Sequence, residues 1–473
     1  MEKLDFNNIL GLLDNSIVLK DNTAEIKDAD HLRDTIHRLA EVSVKEAGPR
    51  QGMARYVTRL VAQAAGVIPA SIHDLYIARG NGSLPPTFTV PAINLRALSF
   101  DSARAVFRAA KSIDAGAFIF EIARSEMGYT DQRPAEYVTN VLAAALSEGY
   151  TGPVFIQGDH FQVSAKRYRS DPETELQAIR DLTKEAIQAG FYNIDIDTST
   201  LVDLSQKTIP EQQEINTTLT AQFTTLIRSL QPEGMMISVG GEIGEVGGQN
   251  STEEELRAFM DGYLSKLTQD APGTTGISKI SIQTGTSHGG VVLPDGSIAR
   301  VDVDFDTLLK LSRIAREEYG LGGAVQHGAS TLPEDAFGKF VESEAVEVHL
   351  ATNFMNMMYD RLPPELTSEM YAYLDKAQAS ERKPGMTDEQ FYYKTRKNAI
   401  GPFKSQLWNL KDEKRAELRG VWEEQFRKLF NLLQLAGTRQ YVEQYVHPTA
   451  IKPDVRFYLG EAALEESVSD LAD

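Results

Sequence analysis

Cysteine is missing from all 473 residues, so neither a disulfide nor a thiolate metal site is available to this chain. That absence suits a reducing compartment, and a cytoplasmic location is expected. Positive charge is scarce as well. Lys and Arg number 48 against 67 Asp and Glu, a formal net charge of −19, which argues against a nucleic-acid-binding surface. A small anionic substrate is still compatible with that balance, because backbone amides and helix amino termini can hold a phosphate. No apolar run approaches the roughly 18 residues of a membrane span, so none is expected. The start, Met1-Glu2-Lys3-Leu4-Asp5-Phe6, lacks the basic-then-apolar order of a secretory signal. Internal repeats and low-complexity stretches are lacking too.

What is present is an alternation. Residues 1–85 read as a helical, polar-faced extension that ends at the breaker Gly80-Asn81-Gly82-Ser83-Leu84-Pro85-Pro86. Across residues 86–360, short β-type runs are each followed by a segment with helical spacing. The expected strands are 88–93, 117–121, 153–157, 193–197, 235–239, 279–283, 323–326 and 345–350. Eight such units over about 275 residues predict a (β/α)8 barrel rather than a doubly wound open sheet. After Pro363-Pro364 the pattern turns charged and helical. Residues 361–473 are expected to be a helical extension whose stripe Trp408, Leu418, Trp422, Phe426 and Phe430 packs on the barrel or a second subunit.

Histidine is rare, with eight in the chain, yet four fall at strand ends. His160 follows the third expected strand in Gly158-Asp159-His160, and His288 follows the sixth in Thr286-Ser287-His288-Gly289. His327 follows the seventh in Gln326-His327-Gly328, and His349 closes the eighth. One histidine beside a glycine is usually an ordinary turn residue. Several that a barrel gathers at one mouth are a metal site, and three imidazoles with an open position suit catalytic zinc.

Six motifs stand in order along the chain. They are Val90-Pro91-Ala92-Ile93-Asn94, Asp159-His160, Ile196-Asp197-Thr198-Ser199 and Glu242-Ile243-Gly244-Glu245-Val246-Gly247-Gly248. Gly285-Thr286-Ser287-His288-Gly289 and His327-Gly328-Ala329-Ser330 complete the set, which in this order resembles the class II, metal-dependent fructose-bisphosphate aldolases. A weaker similarity is to the large subunit of tagatose-bisphosphate aldolase, through Glu121-Ile122-Ala123, Gly158-Asp159-His160 and the stretch 189–197.

The resemblance implies a zinc site of His160, His288 and His327, with Glu242 as an alternate ligand or as a partner behind one. It implies Asp159 as the catalytic acid/base, and phosphate and substrate contacts from Asn94, Gly289, Gly328, Ser330, Thr352 and Asn353. The implied reaction is reversible cleavage of a ketose bisphosphate, fructose 1,6-bisphosphate first, to dihydroxyacetone phosphate and glyceraldehyde 3-phosphate in glycolysis. A phosphorylated sugar is then the substrate and a homo-oligomer, dimer or tetramer, the expected assembly. The last motif departs from the family. His349 stands where an enediolate-contacting asparagine is usual, and Ala351 and Asn353 replace aspartates. His349 is therefore expected to act in the reaction itself. The alternative reading is a non-catalytic scaffold or regulatory subunit of an aldolase complex.

Overall fold

A computed structural model describes residues 6–20, 22–244, 249–285, 293, 303–329 and 332–460. Eight parallel strands close on themselves: β1 Val90–Asn94, β2 Ile119–Ala123, β3 Gly152–Gln162, β4 Asn193–Asp197, β5 Ser238–Glu242, β6 Lys279–Ile282, β7 Ala324–Gln326 and β8 Glu347–Leu350. Consecutive strands pair in order. Closure comes from β8 on β1, with Glu347 opposite Val90 and Leu350 opposite Ile93. The expected (β/α)8 barrel with helical extensions is the observed fold.

Outer helices follow from amphipathic spacing and from their caps. Ile209–Leu230 and Glu253–Asp270 each open on a capping box, Thr208 with Glu211 and Thr252 with Glu255. Ser99–Ser112, after β1, buries Phe100, Ala103, Val106, Phe107 and Ala110 against the strands. The carboxyl-terminal helix Asp412–Leu432 lies on Ser99–Ser112 and buries Leu418, Trp422, Phe426, Leu429 and Phe430. It thereby covers the seam between the last and first strands. Asp101, fully buried on Ser99–Ser112, accepts from Arg415 Nε at 2.8 Å, which ties the two helices by charge as well as by packing.

The amino-terminal extension is helical with two additions that periodicity did not reveal. Ile17–Lys20 and Thr23–Ile26 form an antiparallel hairpin. Val67–Ala70 pairs parallel with the start of β3, Val67 opposite Gly152 and Ala70 opposite Phe155. Asn193 of β4 fastens this strand, donating to Ala70 O at 3.1 Å and accepting from Ile72 N at 2.9 Å. The extension is thus joined to the amino-terminal end of the barrel. Among the described residues no helix is long and apolar enough to cross a membrane.

Candidate active site

The third strand runs past the point where its sequence turns polar. Gly158 pairs with Ile194 and Phe161 with Ile196, so Asp159 and His160 together face the single residue Asp195. That is a bulge, the device that re-aims side chains beside sites. His160 has φ of 40°, left-handed for a residue with a Cβ, which marks a local strain held by the surroundings. Gly158 permits the bend, since a Cβ there would meet the Phe161 ring at 2.4 Å.

Asp159, His160, His327 and His349, all buried, meet Glu242 at the carboxyl ends of β3, β5, β7 and β8. The rings of His160 and His327 are 4.3 Å apart and those of His327 and His349 are 4.1 Å apart, centroid to centroid. His160 Nδ1 lies 3.1 Å from Asp197 Oδ2 and 3.2 Å from Glu242 Oε2, and its Nε2 is 3.8 Å from Asp159 Oδ1. Ser281 of β6 meets His327 Nε2 at 3.0 Å. His349 Nε2 is 2.7 Å from Glu347, and its Nδ1 is 3.0 Å from Glu121 and 3.2 Å from Asp159.

Electrostatics follow from this crowding. Burial opposes charge on His160, but Asp159, Glu242 and Asp197 outweigh it and hold the imidazole well above its usual pKa. His349 is raised likewise, burial being overcome by Glu121 and Asp159. Burial, then Asp197, pushes Glu242 up to about 7. A cavity so rich in carboxylates favours a cation. Among the described residues three groups offer donor atoms that all lie within 4.8 Å of one another: His160, Glu242 and His327; Asp159, His327 and His349; and, deeper, Glu121, Glu347 and His349. Imidazole with carboxylate is a fitting donor set for a divalent transition metal.

The remaining expected residues divide. Asn94 ends β1, fully buried, and its amide donates to Glu126, the carboxylate that also accepts from Arg96 Nε at 2.7 Å. Gly328 follows β7 with φ of 71°. Thr352 and Asn353 open the helix Thr352–Tyr359 directly after β8. His288, Gly289 and Ser330 lie outside the described residues. Sequence reasoning gave no role to Asp197, Ser281, Glu121 or Glu347, which hold the imidazoles. Their signal was present in the alternation Asp195-Ile196-Asp197 and Glu347-Val348-His349, which sends charged residues to one face of a strand.

The family model for class II fructose-bisphosphate aldolases matches residues 86–406, more than half of the chain. No curated protein matches the sequence significantly. Among solved structures, a probable tagatose 6 phosphate kinase from Sinorhizobium meliloti 1021 is similar with a TM-score of 0.51 at 15% identity, over 78% of this chain and 97% of its own. A fructose-bisphosphate aldolase from Campylobacter jejuni is similar with a TM-score of 0.45 at 17% identity, over 79% and 97% of the two chains. At 15% identity the likeness to the first of these speaks to fold alone.

Proposed function

Because the chain belongs to the class II fructose-bisphosphate aldolase family, we propose that it is a metal-dependent aldolase acting on a ketose bisphosphate. Fructose 1,6-bisphosphate is the leading substrate, and dihydroxyacetone phosphate and glyceraldehyde 3-phosphate are the products. The observation that carries this reading is the convergence of His160, Glu242 and His327 donor atoms within 4.8 Å, beside Asp159.

His160 and His327, with His288 and with Glu242 as the exchanging carboxylate, would hold the metal, for which zinc is the leading choice. Bound there, a divalent ion supplies a Lewis acid for the carbonyl and hydroxyl of the triose half. The protein's own groups do the rest. Asp159 takes the proton of the C4 hydroxyl as the C3–C4 bond breaks and its electron pair stays with the triose; in condensation it returns that proton. Asp197 and Ser281 fix the His160 and His327 rings, leaving less freedom at the moment of reaction. Backbone amides at the strand-to-helix junctions of Gly328 and Thr352, with Gly289 and Ser330, receive the phosphate. Asn94 and Asn353 contact the sugar.

Purified protein supplied with zinc should release triose phosphate from fructose 1,6-bisphosphate, and chelation should stop it. No turnover of fructose, tagatose or sedoheptulose bisphosphate with metal present would overturn the reading. Turnover that appears only when a partner chain is added would instead favour a supporting subunit.

A further inference from the structure

Below the histidines the barrel interior is charged where barrels are usually filled by Val, Ile and Leu. Each even-numbered strand sends in one ionisable side chain: Glu121 from β2, Asp195 from β4, Lys279 from β6 and Glu347 from β8, all buried. Lys279 Nζ lies 2.9 Å from Asp195 and 2.5 Å from Glu347, and it donates to Gln157 Oε1 at 2.8 Å. Gly240 of β5 leaves room for this layer, since a Cβ there would stand 2.3 Å from Asp195 Oδ1 and 3.0 Å from Lys279 Cε. From the amino-terminal extension, Tyr76 on the helix His73–Gly80 donates its hydroxyl to the second oxygen of Glu347.

Such a layer is poorly explained by stability. Buried ion pairs replaced by well-packed apolar residues often leave a protein as stable or more so. What the layer does hold is His349. Glu347 and His349 are two apart on β8, so both face inward. Glu347 grips His349 Nε2 at 2.7 Å, and the opposite ring nitrogen stands 3.2 Å from the Asp159 carboxylate. The path from the extension runs by hydrogen bonds through Tyr76, Glu347 and His349, and a 3.2 Å ion-pair contact takes it on to Asp159, the proposed acid/base.

We propose that Tyr76, Glu347 and Lys279 are positioning residues: they fix the His349 ring, and through it the Asp159 carboxylate, so that the amino-terminal extension supports the reaction from beneath the site. The step measured rests on the aldolase reading; the geometry does not. Glu347→Gln keeps shape and removes the charge. It should retain metal content and KM, while kcat falls by about 10–100-fold, the usual cost of losing a partner behind a working group. In metal-free protein with 15N-labelled histidine, the His349 ring signals, assigned by their loss in His349→Asn, should shift in Glu347→Gln and in Tyr76→Phe. The triple variant Asp195→Asn/Lys279→Met/Glu347→Leu, which removes the cation together with both carboxylates it pairs, should match or exceed the wild-type urea midpoint while its turnover stays low. Unshifted ring signals, or wild-type kcat in the triple variant, would overturn the proposal. If the wild-type protein showed no aldolase activity, the functional reading would fail on that ground, and the ring signals and urea midpoints would still judge the positioning.

Discussion

Alanine at His160 or His327 removes an imidazole from a cavity already crowded with carboxylate, and metal affinity should fall with it. Metal analysis of purified His160→Ala, His327→Ala and His288→Ala is expected to show reduced occupancy together with lost turnover. Asp159→Ala should separate the two readouts: metal retained, kcat lower by about 10²–10⁴-fold, the range for a positioned acid/base. Full occupancy in all three histidine variants would refute the ligand set. At this scale the sequence was legible wherever a polar residue followed an apolar run, as at Asp159-His160 and Gln326-His327. It was not legible where a charged residue hid inside a strand. Lys279 is paired across the barrel with Glu347 and Asp195, 68 and 84 positions away in the chain, a relation that no local pattern encodes.

Elements were readable to the extent that their own residues decide their shape. β4 falls where Asn193–Asp197 alternates, because its apolar residues Ile194 and Ile196 match one face of a closed sheet. β5 is displaced from the expected 235–239 to Ser238–Glu242. Gly240 and Gly241 have poor strand propensity, so pairing with β4 and β6 sets the register, and close approach of Asp195 and Lys279 requires the glycine. β3 extends beyond 157 because β4 continues to pair beyond the bulge. Val67–Ala70 was hidden by Pro69, which is tolerated because this strand lies at an edge. Of the carboxyl-terminal stripe, Leu418, Trp422, Phe426 and Phe430 fall on the one helix Asp412–Leu432 that their spacing demands, while Trp408 ends the separate short helix Lys404–Trp408. Trp422 is fully buried there and donates Nε1–H to Phe354 O at 3.1 Å. Trp422→Ala should lower urea-derived stability by about 3–5 kcal/mol, the range for losing a large buried aromatic. A loss under about 1 kcal/mol would show that the helix contributes little to closing the seam.

The molecule as a whole joins extension, barrel and carboxyl-terminal helices through buried groups, and one of these gives a pH signature separate from the histidine–carboxylate cluster. His73 begins the helix His73–Gly80 beneath the barrel, 5% exposed, with Nδ1 lacking a hydrogen-bond partner among the described residues. Burial, aided by the Arg228 charge, lowers its pKa from 6.5 to about 4. The folded protein therefore holds His73 neutral at pH values where the unfolded chain protonates it. Between about pH 6.5 and 4 the unfolded state binds the extra proton, so this residue's contribution falls as pH falls through that window and is constant above it. A shift of that size corresponds to about 3 kcal/mol by the low end. His73→Phe removes the titration while filling similar volume. The difference in unfolding free energy between wild type and His73→Phe, measured at pH 7.5 and again at pH 4.5, cancels every other titrating group in common. Acidification should move that difference in favour of the variant by about 2–3 kcal/mol. An equal difference at both pH values would mean that His73 can take up its proton in the folded state, and that the contact between extension and barrel opens enough to hydrate it.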